Sequence, residues 1–404
     1  MPGGRVLIFV QHLRGIGHLQ RAAAIARGLA AGGIKVDLVS GGRPVAEIDT
    51  AGISLHQLPP VTSPDDSYTR LVDEAGREVG PAYHARRIGA LLRILETARP
   101  DALLIEMFPF GRSQIAEEMT ALIEAARART PKPLILSSVR DIVAAKRSLE
   151  RYEEMADQVV AWFDAVLVHG DDGLIAFGDS FPPAARIRKY LHYTGYVLPP
   201  APRVPARASD GADGEVLVSA GGGAYGAALM RAALDARGHG ALDRSLRDAP
   251  WHLLTGPNLP AAEAEALAAR AGPGVAIERM RPDFRALLAR ARVSVSLCGY
   301  NTALEVIEAG VPAVMMPAGT GRQNEQRRRA DALGRRGLVE VVAEADLSAA
   351  SLAGTINRAA AKRRAQVTRA RPIDLSGLDT THRLIAAWLE GEPPERSASL
   401  ASSA

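Results

Sequence analysis

Cysteine occurs once in this 404-residue chain, at Cys298, and aromatic residues make up only 4% of it. A lone cysteine excludes a disulfide framework and a cysteine-based zinc site, and it fits a reducing compartment. So few aromatics, nowhere interleaved with basic residues in a recognition pattern, argue against nucleic acid as a partner. No uncharged apolar run reaches the ~20 residues that span a bilayer, and no charged-then-apolar leader opens the sequence, so a cytoplasmic protein is expected. Neither charge sign dominates, with 49 basic against 45 acidic residues and a net charge of +4. The basic residues do gather in the first half, at Arg86, Arg87, Arg93, Arg140, Lys146, Arg147, Arg151 and "RIRK" 186–189. Such a concentration suits peripheral contact with an anionic membrane or a phosphorylated acceptor, and equally a solvated arginine-rich helix face.

What the chain has is apolar sequence in short repeated runs. With 47% hydrophobic residues it can bury a full core, and its length suggests two domains. "RVLIFV", "KVDLVS", "ISLHQL", "DALLIEMF", "PLILSS" and "AVLVHG" read as buried strands separated by helical patterns such as "PAYHARRIGALLRILETA". Strands alternating with helices predict an α/β fold with a doubly wound parallel sheet. The pattern breaks at "VLPPAPRVPARASDGADGE", a Pro-rich semi-rigid linker. It restarts with "EVLVSA", "WHLLTG", "VAIERM", "VSVSLCG", "AVMMP" and "LVEVV". The expected organisation is a first Rossmann-like domain over 1–197, a linker over 198–214 and a second Rossmann-like domain over 215–375. A terminal helix over 376–392, able to pack back on the first domain, and a disordered tail over 393–404 complete it. Two such domains are expected to face a cleft lined by the C-terminal edges of their sheets, where ligands bind.

Chemistry-bearing residues fall at strand-to-helix turns. In "HLRGIGHLQR" (12–21), Arg14, Gly15, Gly17 and His18 stand between the first strand and the first helix. A helix N-terminus attracts anions, the glycines allow a tight turn, and His18 titrates near neutral pH. "EVLVSAGGGAYG" sends a second strand into Gly221, Gly222 and Gly223, another anion-binding turn. It is neither a Walker A loop nor a Rossmann dinucleotide fingerprint. In "SVSLCGYNTALEVIEAGVPAVMMPAGTGRQNEQRRRADAL" (294–333), Gly299 ends a strand, Asn301 or Thr302 caps the next helix, and Glu305 falls in its first turn. A carboxylate there suits the two hydroxyls of a ribose, and Gln323, Asn324, Glu325 and Gln326 suit a hydroxyl-rich ligand.

The run from Gly299 through "ALEVIEAGVP" to "GRQNEQRRRADAL" resembles the donor-site signature of two-domain (GT-B type) glycosyltransferases. It most resembles the branch that contains the UDP-N-acetylglucosamine transferase of lipid II synthesis. "GIGHLQRAAAIARGL" matches the Gly-x-Gly-His turn of that branch, and "SAGGGAYG" its second-domain glycine loop. "EMFPFGR", "SVRDI" and "VLVHGD" look like an uncharacterised group of predicted bacterial members of it. The resemblance implies that the second domain binds a nucleotide-sugar as co-substrate, a UDP-sugar being the first expectation, with no cofactor. It puts the glycine loop on the diphosphate, Glu305 on the ribose, Gln326 and Glu325 on the sugar, and Met280 and Arg281 beside the base. The loop departs from the family in having Ala224 and Tyr225 after its glycines.

The resemblance implies a glycosyltransferase, and the inverting outcome rests on it alone; no Asp-x-Asp motif at a strand end and no His or Cys at ligand spacing beside the paired aspartates occurs, so catalysis is expected to be metal-independent. Its acceptor, a sugar, a lipid-linked molecule or a small molecule, would lie in the first domain with Arg14, Gly15, Gly17, Glu106, Arg112 and Arg140 around it. His18 is the leading base for its hydroxyl or else a contact to acceptor phosphate, Asp141 is the second candidate base and Glu106 the third. Asp141 can instead cap a helix, and Glu106 can pair with Arg112. A nucleotide-sugar hydrolase or epimerase, and a non-catalytic nucleotide-sugar-binding protein, are the competing classes.

Overall fold

Apolar runs that are buried on both faces form parallel strands, and the helices between them supply the cover. The computed structural model describes residues 3–46, 48–65, 68–143, 147–200, 214–221, 226–256, 259–318, 325–362 and 373–394. The chain divides into two compact units, Met1–Pro199 with Asp374–Ala404, and Pro200–Ile373. Of the expected linker, 201–213 lies outside the described residues, as does 395–404 of the expected tail.

In chain order the first unit comprises β1 (Arg5–Val10), α1 (Gly17–Ala31), β2 (Lys35–Ser40), β3 (Ser54–Gln57), α2 (Pro81–Ala98) and β4 (Ala102–Glu106). It continues with α3 (Ala116–Arg127), β5 (Leu134–Arg140), α4 (Leu149–Trp162), β6 (Ala165–His169) and β7 (Leu191–Tyr193). The second holds β8 (Val216–Ser219), α5 (Ala227–Gly238), α6 (Arg244–Arg247), β9 (Trp251–Thr255), α7 (Ala261–Arg270), β10 (Val275–Arg279) and α8 (Phe284–Arg290). After these come β11 (Val293–Leu297), α9 (Tyr300–Ala309), β12 (Ala313–Met316), α10 (Glu325–Arg335), β13 (Glu340–Val341) and α11 (Ala349–Ala361). The last helix, α12 (Gly377–Leu389), returns to the first unit.

Among the described residues the first sheet has the order β3-β2-β1-β4-β5-β6-β7 and the second β10-β9-β8-β11-β12-β13. Every pairing in both is parallel. The order reverses between β1 and β4 in one sheet and between β8 and β11 in the other, and ligands of open α/β sheets bind outside the strand ends at such points. Alternation along β1 shows the double winding: Val6, Ile8 and Val10 pack with α1 and α12, while Leu7 and Phe9 pack with α2 and α3. In the second unit Val216 and Val218 pack against Leu229, Met230 and Ala233 of α5 and Leu352 and Ile356 of α11.

Local chemistry fixes the helix ends. Gly80 and Pro81 open α2, which stops at Arg99 in the left-handed region just before Pro100. Ser148 caps α4, its hydroxyl accepting from Arg151 N at 3.3 Å. Gly310, at φ 60°, ends α9 through its N–H to Ile307 O, ahead of Pro312. The short β7 was not among the expected strands, since "LHY" offers only three residues, one of them the buried His192.

Several of the basic residues of the first half are committed to partners within the unit. Arg87 is wholly buried, pairing with Glu118, while Arg186 is held by Glu153 and Asp157. Arg140 turns toward His18, and Lys146 lies outside the described residues. Among the described residues no helix is long and apolar enough to cross a membrane.

Closure of the first unit rests on α12. Leu384, Ile385 and Trp388 enter the core beside α1, and the Trp388 ring meets His192 edge-on at 5.1 Å. Gly377 passes so close to Tyr196 that a Cβ would lie 2.5 Å from its backbone. Trp388→Ala is expected to cost about 3 kcal/mol, read as a lowered urea midpoint; a loss below about 1 kcal/mol would show that α12 only decorates the surface.

Candidate active site

At the reversal point of the first sheet, the ends of β4, β5 and β6 bring a carboxylate, a serine and a histidine under the first turns of α1. Glu106, the last residue of β4, is only 2% exposed. A carboxylate so buried must be ionised and saturated with donors, or protonated. Here it is saturated. Its Oε1 meets His18 Nδ1 at 2.9 Å and accepts from Arg21, and its Oε2 accepts from the Ser138 hydroxyl at 2.7 Å. Burial alone would raise its pKa, but Arg21, His18 and Ser138 together hold it well below the usual carboxylate range.

The ionised Glu106 fixes the protons around it. His18 is pushed down to about 3, by burial first and then by the positive fields of Arg112 and Arg140, so its ring is neutral near pH 7. Its Nδ1 faces a carboxylate and carries the proton, which leaves the lone pair on Nε2. Arg140 Nη2 lies 3.4 Å from that Nε2. Because Ser138 spends its proton on Glu106, its oxygen accepts from His169 Nε2 at 2.9 Å, and His169 Nδ1 lies 2.9 Å from the Thr194 oxygen, whose hydroxyl donates to Gly195 O at 2.8 Å. His169 is likewise lowered to about 3, chiefly by burial. From His169 through Ser138 on one side and from His18 on the other, the hydrogen bonds are directed toward the Glu106 carboxylate.

The surrounding positions divide. Arg112, with φ 64°, donates from Nε to Gln11 O at 2.8 Å, and burial beside Arg140 and Arg21 lowers it to about 10. Arg14 is exposed and donates to Pro64 O at 3.4 Å. Gly15 and Gly17 do not have positive φ, and a Cβ on Gly15 would meet open space, so backbone geometry does not require glycine there. Glu106 is neither a third base nor an acceptor contact, because its oxygens are occupied; nor is Arg112 its hydrogen-bond partner. Asp141 is corrected too. It is completely buried, with Oδ2 accepting from the Tyr196 hydroxyl at 2.9 Å, so it is closed to an external hydroxyl, and α4 is capped by Ser148 instead. Arg21, Ser138, His169 and Thr194 escaped the sequence reading. Their signal was an arginine inside an alanine-rich helix and polar residues closing otherwise apolar strands.

At the reversal point of the second sheet, β8 leads through Ala220 and Gly221 toward α5, and β11 leads through Cys298 and Gly299 into α9. Gly221 takes φ +62°, and a Cβ on it would lie 3.4 Å from Thr302 Oγ1, so the two turns meet. Gly222, Gly223 and Gln323 lie outside the described residues, as do Ala224, Tyr225 and Asn324. Gly299 itself is the N-cap of α9, so Asn301 and Thr302 lie in its first turn rather than capping it, and Glu305 sits one turn further on. Burial raises Glu305 to about 7, with Arg285 opposing and Glu308 adding to the rise. Gln326 Oε1 accepts from Ala318 N at 3.0 Å, and Glu325 accepts from Arg329 at 2.9 Å. Arg329, 1% exposed, lies over the Tyr300 ring and joins the starts of α9 and α10. Met280 N donates to Thr255 O at 2.9 Å, while Arg281 is held by Asp283 and Glu278.

Residues 217–380 match the glycosyltransferase family 28 C-terminal domain. The fold is that of CalG4, the calicheamicin glycosyltransferase, at a TM-score of 0.63 and 19% identity over 97% of this chain and 99% of that one. MurG of Acinetobacter baumannii is similar at a TM-score of 0.59 and 15% identity over 95% and 99%. The second unit thus carries a family 28 C-terminal domain, and the chain has the two-domain GT-B fold of these glycosyltransferases. The same fold also matches a putative UDP-N-acetylglucosamine 2-epimerase from Listeria monocytogenes, at a TM-score of 0.62 and 12% identity over 97% and 98%. No curated protein sequence matches the chain significantly.

The displaced pKa values of this GT-B protein bear on its stability. His18 and His169 have folded values near 3 against 6.5 unfolded. The unfolded state therefore binds more protons in that window, and the stability they contribute, present above 6.5, is lost as pH falls toward 3. Glu305 runs the other way: its contribution is present below 4.5 and lost as pH rises through about 7. Denaturant titrations should show the wild type losing of order 2 kcal/mol between about pH 7 and about pH 4. His169→Gln should lose less over the same range. Equal losses in the two proteins would contradict the neutral, buried state of His169.

Proposed function

We propose that the protein is a metal-independent, inverting glycosyltransferase that moves a sugar from a nucleotide-sugar, in the first instance a UDP-sugar, to an acceptor hydroxyl. The observation that carries this reading is the His18–Glu106 pair, in which the carboxylate holds Nδ1–H and leaves the Nε2 lone pair for an incoming proton. The family 28 domain supplies the class of reaction.

In this reading the second unit holds the donor. The Gly221 turn and the N-termini of α5 and α9 offer backbone N–H groups and positive helix ends to the diphosphate. Glu305 accepts from the ribose hydroxyls, and Gln326 and Glu325 flank the sugar. The first unit holds the acceptor. Its hydroxyl gives a proton to His18 Nε2 as the oxygen attacks the anomeric carbon from the side opposite the leaving group. The bond from that carbon to the diphosphate oxygen breaks, and the nucleoside diphosphate leaves with the electron pair. In this reading the leaving diphosphate is stabilised by backbone N–H groups and helix dipoles.

Calorimetric titration with UDP-sugars and then a turnover assay test the reading. Glu305→Ala should weaken UDP-sugar binding roughly 10- to 100-fold, the loss of hydrogen bonds to a charged group. His18→Ala should lower kcat by about 10²- to 10⁴-fold with little change in that binding, and Glu106→Gln should lower kcat in the same direction. Absence of any nucleotide-sugar binding would sink the proposal. Release of free sugar at an undiminished rate without acceptor would favour a hydrolase, and interconversion of the donor sugar an epimerase.

A further inference from the structure

A second cluster of charge lies within the sheet of the second unit, apart from the turns already described. Along β9, Trp251 and Leu253 enter the core that α5 covers, so His252 points to the opposite face. In the parallel register His252 stands between Leu217 of β8 and Ala276 of β10. Glu215 lies two residues before Leu217 and Glu278 two after Ala276, so the same alternation turns both carboxylates to the face of His252, one on each diagonal. The contacts follow: Nδ1 is 3.5 Å from Glu215 Oε2, and Nε2 is 2.6 Å from Glu278 Oε1. An imidazole with a carboxylate at each nitrogen favours the doubly protonated form. His252 is accordingly raised above its ordinary value, by Glu215 first, against burial, and then by Glu278.

The two acids differ in their surroundings. Side-chain exposure is 3% at Glu215 and 39% at Glu278. Glu278 Oε1 also accepts from Arg281 Nη1 at 3.0 Å, and Arg281 donates from Nε and Nη2 to the two oxygens of Asp283 at 2.8 and 2.7 Å. One carboxylate oxygen is thus the meeting point of His252 and the turn that carries β10 into α8. The charged groups around His252 are Glu215 ahead of β8, Glu278 of β10 and, through Glu278, Arg281 and Asp283 of that turn; Arg285 of α8 is given to Glu308 of α9, and Arg292 to Ser245. When His252 loses a proton, the two acids compete for the one that is left. Glu215 is buried, and its Oε1 has no hydrogen-bond partner among the described residues, so it loses more by standing unpaired. Glu278 can turn to water. The remaining proton therefore stays on Nδ1, and the bare Nε2 repels Glu278.

Resting on the transferase reading above, with Arg281 bordering the base of the donor, we propose that His252 is a positioning residue for the nucleotide-sugar: as an imidazolium it holds Glu278 on Arg281 and fixes the turn after β10, and on losing a proton it keeps Glu215 and lets Glu278 go. The donor then binds the protonated form more tightly, because a turn tied at three guanidinium nitrogens is ordered before the ligand arrives. An apolar residue at 252 would pack as well, since buried ion pairs are often no more stabilising than apolar side chains of like volume. It would not carry the state of a proton to the rim of the site. Glu305 acts in the opposite sense, accepting from ribose hydroxyls better once it ionises near 7, so the pH dependence of donor binding is the balance of the two.

The test follows the His252 ring of the full-length protein by NMR, assigned through loss of its signal in His252→Gln, over about pH 6 to about pH 9 with and without saturating UDP-glucose. Linkage is reciprocal, so a donor that prefers the imidazolium must raise the pKa of the ring. A rise of about 0.7 unit or more is expected, the equivalent of an about fivefold coupling. In Glu278→Ala the rise should vanish while calorimetry still detects UDP-glucose. Inorganic pyrophosphate, which brings charge without a base, should leave the wild-type ring unmoved. UDP-glucose bound with the His252 pKa unchanged overturns the proposal and leaves the transferase reading standing. A rise that persists in Glu278→Ala, or that pyrophosphate reproduces, is the field of the diphosphate acting on the ring and overturns it as well. Calorimetry that finds no UDP-glucose binding overturns the transferase reading itself, and the role of His252 falls with it.

Discussion

A carboxylate buried among strand ends constrains everything around it. Removing an ion of that size from water is costly, and the penalty is offset only when every lone pair finds a donor. Glu106 finds its donors on two different elements, with His18 and Arg21 from the first turns of α1 and Ser138 from β5. Its position thus sets the rotation of α1 about its axis and the register of β5 beside β4, where Glu106 stands opposite Ser138. The same bonds decide the tautomer of His18 and, through Ser138, that of His169. One packing requirement, the satisfaction of a buried charge, becomes a chemical one, a histidine with its lone pair on a chosen nitrogen.

The second unit meets its reversal point by different means. Backbone does the work there: Gly221 in the left-handed region beside Thr302, and Gly299 opening α9. Side chains that could have reached for a ligand are largely committed to their neighbours. Arg281 is locked by Asp283 and Glu278, and Glu325 by Arg329. Glu305 is the exception. No hydrogen bond to its carboxyl is present among the described residues, and burial lifts it to about 7, opposed by Arg285.

Much of this was legible in the sequence, and the part that was not has physical reasons. Parallel strands covered on both faces are continuous apolar runs, so β1, β2, β4 to β6, β8, β9, β11 and β12 stand out, whereas β7 is too short and too polar to do so. His18 was visible because it sits in a strand-to-helix turn. Arg21 was not, since an arginine within an amphipathic helix ordinarily faces water and only the fold turns this one toward Glu106. Asp141 and Glu106 look alike in sequence, each an acid at a strand end. Tertiary packing separates them, closing Asp141 under Tyr196 and giving Glu106 to His18. Arg87 misled for the same reason, its charge belonging to the buried Glu118 and not to a surface.

The central claim is that burial, with Arg112 and Arg140, keeps His18 neutral, and that Glu106 holds its single proton on Nδ1. The most direct test is a long-range ¹H–¹⁵N correlation spectrum of the histidine rings at about pH 7, where a neutral Nδ1–H tautomer and an imidazolium have distinct nitrogen shifts. A protonated Nδ1 and a bare Nε2 at His18, with the pattern lost in Glu106→Gln, are the predicted result. An imidazolium, or a proton on Nε2 in the wild type, would contradict the account.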